Sequence, residues 1–229
     1  MTISPASSAD DELTQRVAAN LAVVQARIAA SGRALSSVRI VAVTKTFAAN
    51  AVRAAAALGL TTMGENYVDE LAEKRHATLD LTLRWHFLGA LQSNKIARVV
   101  GECDVVCAVS REKELERLAT KRPGMALYVE VDHTGDARRH GAAPAQVEHL
   151  VQRARSLDLD VRGLMTVAPV GSEPARLAFA ATVALADELG LRERSMGMSD
   201  DLELALEAGT TEVRLGRALF GPRESPARA

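Results

Sequence analysis

The sequence predicts an α/β protein, a (β/α)8 TIM barrel with an extra N-terminal helix. Three observations predict it. Short apolar runs and amphipathic segments alternate eight times along the chain, and strict βα alternation implies a parallel sheet. The runs are apolar along their length rather than every second residue, as in strands covered on both faces. Eight such units fill 229 residues with no linker, low-complexity tract or composition break, so residues 1–229 read as one domain. A doubly wound open sheet is the second choice.

Asp10, Asp11 and Glu12 place acid at the start of a helix, where its dipole favours negative charge. Leu13, Val17, Leu21, Val24 and Ile28 recur at helical spacing as far as the Ser31-Gly32 stop. Residues 1–10 read as a polar tail with neither the basic nor the apolar region of a signal peptide. Residues 38–45 form the first strand, and Asn50 is placed to cap a helix over 51–58 that Gly59 ends. Strands follow at 61–63 and 85–88, the second leading to a helix opened by Ser93.

Further on, 104–109 reads as strand, 112–120 as helix and 125–131 as strand. Pro144 starts a helix carrying Val147, Leu150 and Val151, since proline suits the first helical turn. The strand at 161–167 leads to a helix from Ser172 to Leu189, and 194–196 is a short strand. Ser199 and Asp200 cap the next helix, Gly209 ends it, and 212–215 is the last strand, with no helix expected after it. The N-terminal helix is expected to supply that missing cover.

The formal net charge of -1 gives no electrostatic case for nucleic acid or an anionic membrane surface. No apolar run approaches the ~20 residues that span a bilayer. Cys103 and Cys107 read as two thiols on one face of a strand, roughly 13 Å apart and too distant for a disulfide. Reduced cysteines suit a cytoplasmic protein. The neighbourhood lacks the convergent ligands of a metal site.

In a barrel the loops after the strands share one face, and that face carries the chemistry. Only five lysines stand beside 23 arginines. Of the five, only Lys45 terminates an apolar strand. The loops after strands 7 and 8 often hold phosphate in such barrels. Here they offer Ser195-Met196-Gly197-Met198-Ser199-Asp200-Asp201, with a glycine and a hydroxyl ahead of a helix, and the glycine turn Arg214-Leu215-Gly216-Arg217. A Schiff-base lysine opposite a phosphate cradle is what pyridoxal 5′-phosphate (PLP) requires.

These blocks resemble a known family. Val41 to Lys45, Gly64 to Glu70, Trp85 to Lys95, Gly163 to Met165, Ser195 to Asp201 and Val213 to Gly221 are similar, in order, to the pyridoxal phosphate homeostasis proteins, single-domain relatives of the alanine racemase barrel. The resemblance implies that Lys45 holds the cofactor as a Schiff base and that Ser199 and the backbone around Gly216 bind phosphate. Met198 and Arg217 join that cofactor-binding set, Asn66 lines the ring pocket, and Arg214 faces the pyridine nitrogen. A fixed guanidinium there disfavours protonation of the nitrogen and weakens the ring as an electron sink.

The sequence departs from the family at Arg217, where the family usually has Ser or Thr after the glycine, so a hydroxyl contact is lost. Asp132, Asp136 and Arg139 stand in the fifth loop in place of the family's Asn, Glu and Lys. The resemblance implies a role in intracellular vitamin B6 homeostasis with apo PLP enzymes as partners. Without the second domain of the racemases, a monomer that binds the cofactor without catalytic turnover is expected. The alternative is a PLP-dependent amino-acid racemase. Racemisation needs a second base, which alanine racemases take as a tyrosine from a further domain, and neither Tyr67 nor Tyr128 is an obvious substitute. A Schiff-base aldolase that binds a sugar phosphate is a third reading.

Overall fold

Eight parallel strands close into a barrel in chain order, with β8 returning to pair with β1. The computed structural model describes residues 5–136 and 138–222, with side chains from residue 10 onward. The strands are β1 Arg39–Val43, β2 Thr62–Glu65, β3 Arg84–Phe87, β4 Val105–Val109, β5 Ala126–Val131, β6 Asp160–Thr166, β7 Glu193–Ser195 and β8 Glu212–Leu215. Around them lie α1 Pro5–Ala30, α2 Ala49–Ala57, α3 Val68–Ala77, α4 Ile96–Glu102, α5 Glu112–Lys121, α6 Pro144–Ser156, α7 Ser172–Glu188, α8 Leu202–Ala208 and α9 Arg217–Phe220. No helix among the described residues is long and apolar enough to cross a membrane.

Strand alternation sorts the side chains into two cores. Met63, Trp85, Phe87, Val106, Leu127, Val129, Leu164, Val213 and Leu215 point outward and join the helices in one apolar layer. Val105, Cys107, Tyr128 and Met165 pack inside the barrel. Below them the interior is polar. The Ser195 hydroxyl donates to Glu212 Oε1 at 2.7 Å, and Arg39 Nη1 donates to Glu193 at 2.8 Å and to Glu212 at 3.0 Å. Tyr128 Oη donates to Glu193 and approaches Glu212 Oε2 at 3.3 Å. Glu193 and Glu212 therefore both have charged and hydroxylic partners, which is the condition for keeping a carboxylate inside.

Several local expectations are corrected. Helix α1 begins at Pro5, inside the segment read as a tail, and residues 1–4 lie outside the described ones. Asn50 does not cap α2; it sits within the helix and its amide donates to Asp10 Oδ1 at 3.1 Å. Ser93 lies in a turn, and α4 starts at Ile96. Ser199 and Asp200 precede the N-cap of α8, which is Asp201. The last strand is followed by a helix, the single turn α9. A one-turn helix covers little of the barrel, and α1 fills the space beside it: Asn20 Nδ2 donates to Leu219 O at 2.8 Å, and Arg27 pairs with Glu203 of α8 at 2.5 Å.

Cys103 closes α4 and packs in the outer layer, whereas Cys107 points into the barrel, so the two thiols do not share a face. Both are free and buried. β4 begins at Val105, so Cys103 lies outside the strand expected to carry both thiols, and a register shift between Val106 and Val109 further breaks simple alternation.

Candidate functional site

Strand β1 stops at Val43, and Thr44 to Phe47 make a tight turn in which the Phe47 N–H donates to Thr44 O at 3.0 Å. Lys45 occupies the second position of that turn, half-buried at the C-terminal mouth of the barrel, and lines a cavity of about 410 Å³. That volume lies inside the range of roughly 300–1,000 Å³ usual for small-ligand clefts. Val43, Leu88 and Val167 give the cavity apolar walls, and Asn66, Met198, Ser199, Arg214, Gly216 and Arg217 also line it. All seven residues singled out in the sequence thus stand around one space, although they come from β1, β2, β7 and β8 and the loops after them.

The loops after β7 and β8 build the wall adjoining Lys45: β8 pairs with β1, and a Cβ on Gly216 would lie 3.3 Å from Val43 O. Gly197 carries φ of +97°, and a Cβ there would lie 2.5 Å from Ala205 Cβ, so only glycine lets this loop lie against α8. Asp201 Oδ1 accepts the Met198 N–H at 2.5 Å and shapes the loop ahead of α8. Ser199 Oγ accepts the N–H of Ala218 at 3.1 Å, tying the β7 loop to the start of α9. The exposed Arg217 side chain pairs with Asp200. Asp200 also lines the cavity, and its carboxylate, which would repel an anion, is paired there with Arg217.

The side of the cavity nearest the barrel core is polar on purpose-built supports. Arg214 is only 5% exposed, and its Nη2 donates to Thr166 O at 2.8 Å. Burial pulls its pKa down, opposed by the charge of Glu212; arginine remains charged at any ordinary pH. Burial alone would raise the Glu212 carboxyl, but His86, the Ser195 hydroxyl and Arg39 outweigh it and hold the group at about 2. Asn66 Oδ1 is buried without a hydrogen-bond partner, an acceptor left open beside the cavity. Asn66 is brought there by a close crossing: a Cβ on Gly89 would lie 2.1 Å from Asn66 O.

The remaining candidates fall elsewhere. His86 is inside the barrel, its Nδ1 3.7 Å from both Cys107 Sγ and Glu212 Oε1, and it does not line the cavity. Tyr67 is 56% exposed beside a separate cleft, and Tyr128 is in the polar interior. In the fifth loop Asp132 accepts from Thr134 N at 3.0 Å, Thr134 Oγ1 at 2.7 Å and Gly135 N at 3.1 Å, so it shapes its own turn. Arg139 Nη2 donates to Val167 O at 3.1 Å, and Asp136 pairs with Arg138. Asp132 and Arg139 line a second cavity of about 230 Å³ together with Glu130, whose carboxyl burial raises to about 7 against the pull of Arg214 and Arg139.

Among the described residues no group of three or more His, Cys, Asp or Glu side chains is placed to hold a metal. Lys74 escaped the sequence reading. It lies on α3 with no motif to single it out, yet it is 4% exposed, with its ammonium on Glu65 and Glu70.

Residues 14–224 match the family model described as "Alanine racemase, N-terminal domain". Fold and site together define the class: a racemase-type (β/α)8 barrel with a lysine at the mouth. Over 221 residues the chain is 41% identical to the pyridoxal phosphate homeostasis protein of Pseudomonas aeruginosa, covering 91% of this chain and 96% of that one. It is 35% identical over 227 residues to the protein of that name from Escherichia coli K12, covering 91% and 97%. This chain belongs to the pyridoxal phosphate homeostasis protein family. PipY of Synechococcus elongatus, solved with PLP bound, superposes with a TM-score of 0.80 at 34% identity over 90% of this chain and all of that one. Alanine racemase from Corynebacterium glutamicum, at 15% identity and a TM-score of 0.71, shares the fold over 94% of this chain and 63% of its own.

Proposed function

We propose that this chain binds PLP through a Schiff base on Lys45 and takes part in vitamin B6 homeostasis without catalytic turnover. The observation that carries the reading is that Lys45, Ser199, Gly216 and Arg214 line one cavity. The residues fit the cofactor. The cavity is of ligand size, its rim supplies a hydroxyl, glycine backbone and a guanidinium for a phosphate, and the open Asn66 Oδ1 awaits a donor. PLP supplies an aldehyde that condenses with a primary amine, releasing water. The homologues named for PLP homeostasis and the PLP-bound relative support the same reading.

Residue roles follow from position. Lys45 holds the cofactor. Ser199, Gly216, Met198 and Arg217 surround its phosphate, and Asn66 lines the ring. Arg214 faces the pyridine nitrogen and keeps it unprotonated. For the racemase alternative, among the described residues Asp200, paired with Arg217, is the one ionisable group lining the cavity besides Lys45 and the two arginines, so no second base stands out. The proposal extends to a one-domain cytoplasmic monomer that passes PLP to apo enzymes and binds neither nucleic acid nor membrane. The balanced charge agrees with the last point, and light scattering of the purified protein tests the first.

The deciding experiment is the visible spectrum of the purified protein, followed by borohydride reduction and peptide mapping. A yellow protein with the pyridoxyl group on Lys45, and no interconversion of D- and L-amino acids, is expected. A label on another residue, or turnover abolished by Lys45→Ala, would overturn the reading.

A further inference from the structure

Lys74 projects from α3 into the space behind the Lys45 turn. Its ammonium donates to Thr44 O at 2.7 Å, Glu65 Oε1 at 2.7 Å and Glu70 Oε2 at 2.8 Å, using all three of its protons. The same carboxylates hold the turn directly. Glu65 Oε1 accepts the Thr44 hydroxyl at 2.6 Å, and Glu70 Oε2 accepts the Thr46 N–H at 2.7 Å. Both residues flanking Lys45 are therefore fastened to one buried cluster.

The turn needs fastening. Thr46 has φ of +68° at the third position, where a type II turn calls for glycine or asparagine. A β-branched residue in that region is a genuine outlier, and strain of this kind persists only where surroundings enforce it. A buried ammonium beside two carboxylates is also costly unless every proton is satisfied. With all three protons satisfied, the ammonium can stay buried and hold the strained residue next to Lys45.

We infer that Lys74 is a positioning residue for Lys45: with Glu65 and Glu70 it holds the Thr44–Phe47 turn in the strained conformation that directs the Lys45 amine into the cavity. The inference rests on the reading that Lys45 carries PLP. Lys74 touches neither cofactor nor cavity; its effect passes through the backbone.

Glycine adopts positive φ without strain, so it provides a rescue that a purely structural role would not show. In Lys74→Met the Schiff-base absorbance band is expected to need about tenfold more PLP to reach half-saturation, equivalent to about 1.4 kcal/mol. Adding Thr46→Gly to that variant restores most of the affinity, because the turn then forms without its clamp. Wild-type affinity in Lys74→Met, or a defect that Thr46→Gly leaves untouched, overturns the inference. If Lys74→Met does not fold, Glu70→Ala removes the acceptor of the Thr46 N–H from a partly exposed position, and the same pair of outcomes decides. Borohydride trapping on the wild type separates the two levels. No label on Lys45 sinks the PLP reading and this inference together, whereas a labelled wild type with an unaffected Lys74→Met sinks this inference alone.

Discussion

Arg214 and Ser195 meet twice across the β7–β8 seam: Nη1 donates to the Ser195 carbonyl at 2.5 Å and to its hydroxyl oxygen at 3.0 Å. The hydroxyl in turn donates to Glu212, so the guanidinium beside the cavity is continuous with the polar interior of the barrel. Arg214→Leu strips partners from two buried carbonyls and a positive charge from the neighbourhood of Glu212. A loss of about 3–5 kcal/mol is expected in urea unfolding, as for breaking a buried ionic network on one side. A variant within 1 kcal/mol of wild type would show that the network contributes little.

Glu212 and Glu130 should give opposite pH dependences. Glu212 is held at about 2 in the folded chain, below the ordinary value of 4.5. Its contribution, on the order of 3 kcal/mol, is present above about pH 4.5 and lost as pH falls towards 2. Glu212→Gln should therefore lower stability at pH 7 and flatten the acid limb of a stability–pH curve. An acid limb unchanged by the substitution would contradict the assignment.

Glu130 titrates near 7 when folded, above its ordinary 4.5, so the folded state binds the proton more tightly. Stability associated with this group is present below about pH 4.5 and is lost as pH rises to about 7. Glu130→Gln keeps the shape without the charge and should stabilise the protein at pH 8 by about 1–3 kcal/mol, with little effect at pH 4. Equal effects at both values would place the carboxyl's titration elsewhere.

Ser199 accepts a single neutral hydrogen bond from Ala218, worth about 1 kcal/mol. Ser199→Ala should leave the unfolding midpoint nearly unchanged while releasing PLP about tenfold faster in a trapping assay, the loss of one charge-assisted contact to phosphate. Unchanged release would remove Ser199 from the phosphate site.

The thiols should be inert. Burial pushes Cys103 up to about 12 and Cys107 well above its ordinary value. A thiolate is the reactive species, so iodoacetamide at pH 8 should label neither cysteine in the folded protein and both in urea. Rapid labelling of the native chain would require local opening of β4 or of the end of α4.

How much of this was legible depends on whether a feature is written along the chain or across it. The Lys45 strand, the Pro144 helix start and the exact limits of β8 follow from local apolar runs and turn residues, which act over a few positions. Thr44 and Lys45 are expected as strand but belong to the turn: the Thr44 N–H still donates to Gly64 O of β2, but its carbonyl accepts from Lys74 Nζ of α3 and from the Phe47 N–H. Capping by Asn50 was chemically reasonable and lost to a partner 40 residues away.

The sequence by itself determined the barrel's alternation and the lysine at a strand end, because those are local patterns, while the seven residues around the cavity came from the resemblance of its motifs to the family. Only the tertiary structure decided that Lys74 is buried behind the Lys45 turn, that Arg217 pairs with Asp200, and that Arg214 hangs from Ser195 and Thr166. Those pairings join groups far apart in the chain, and burial sets their energetics. No local pattern records which distant partner will stand within hydrogen-bonding distance once the barrel closes.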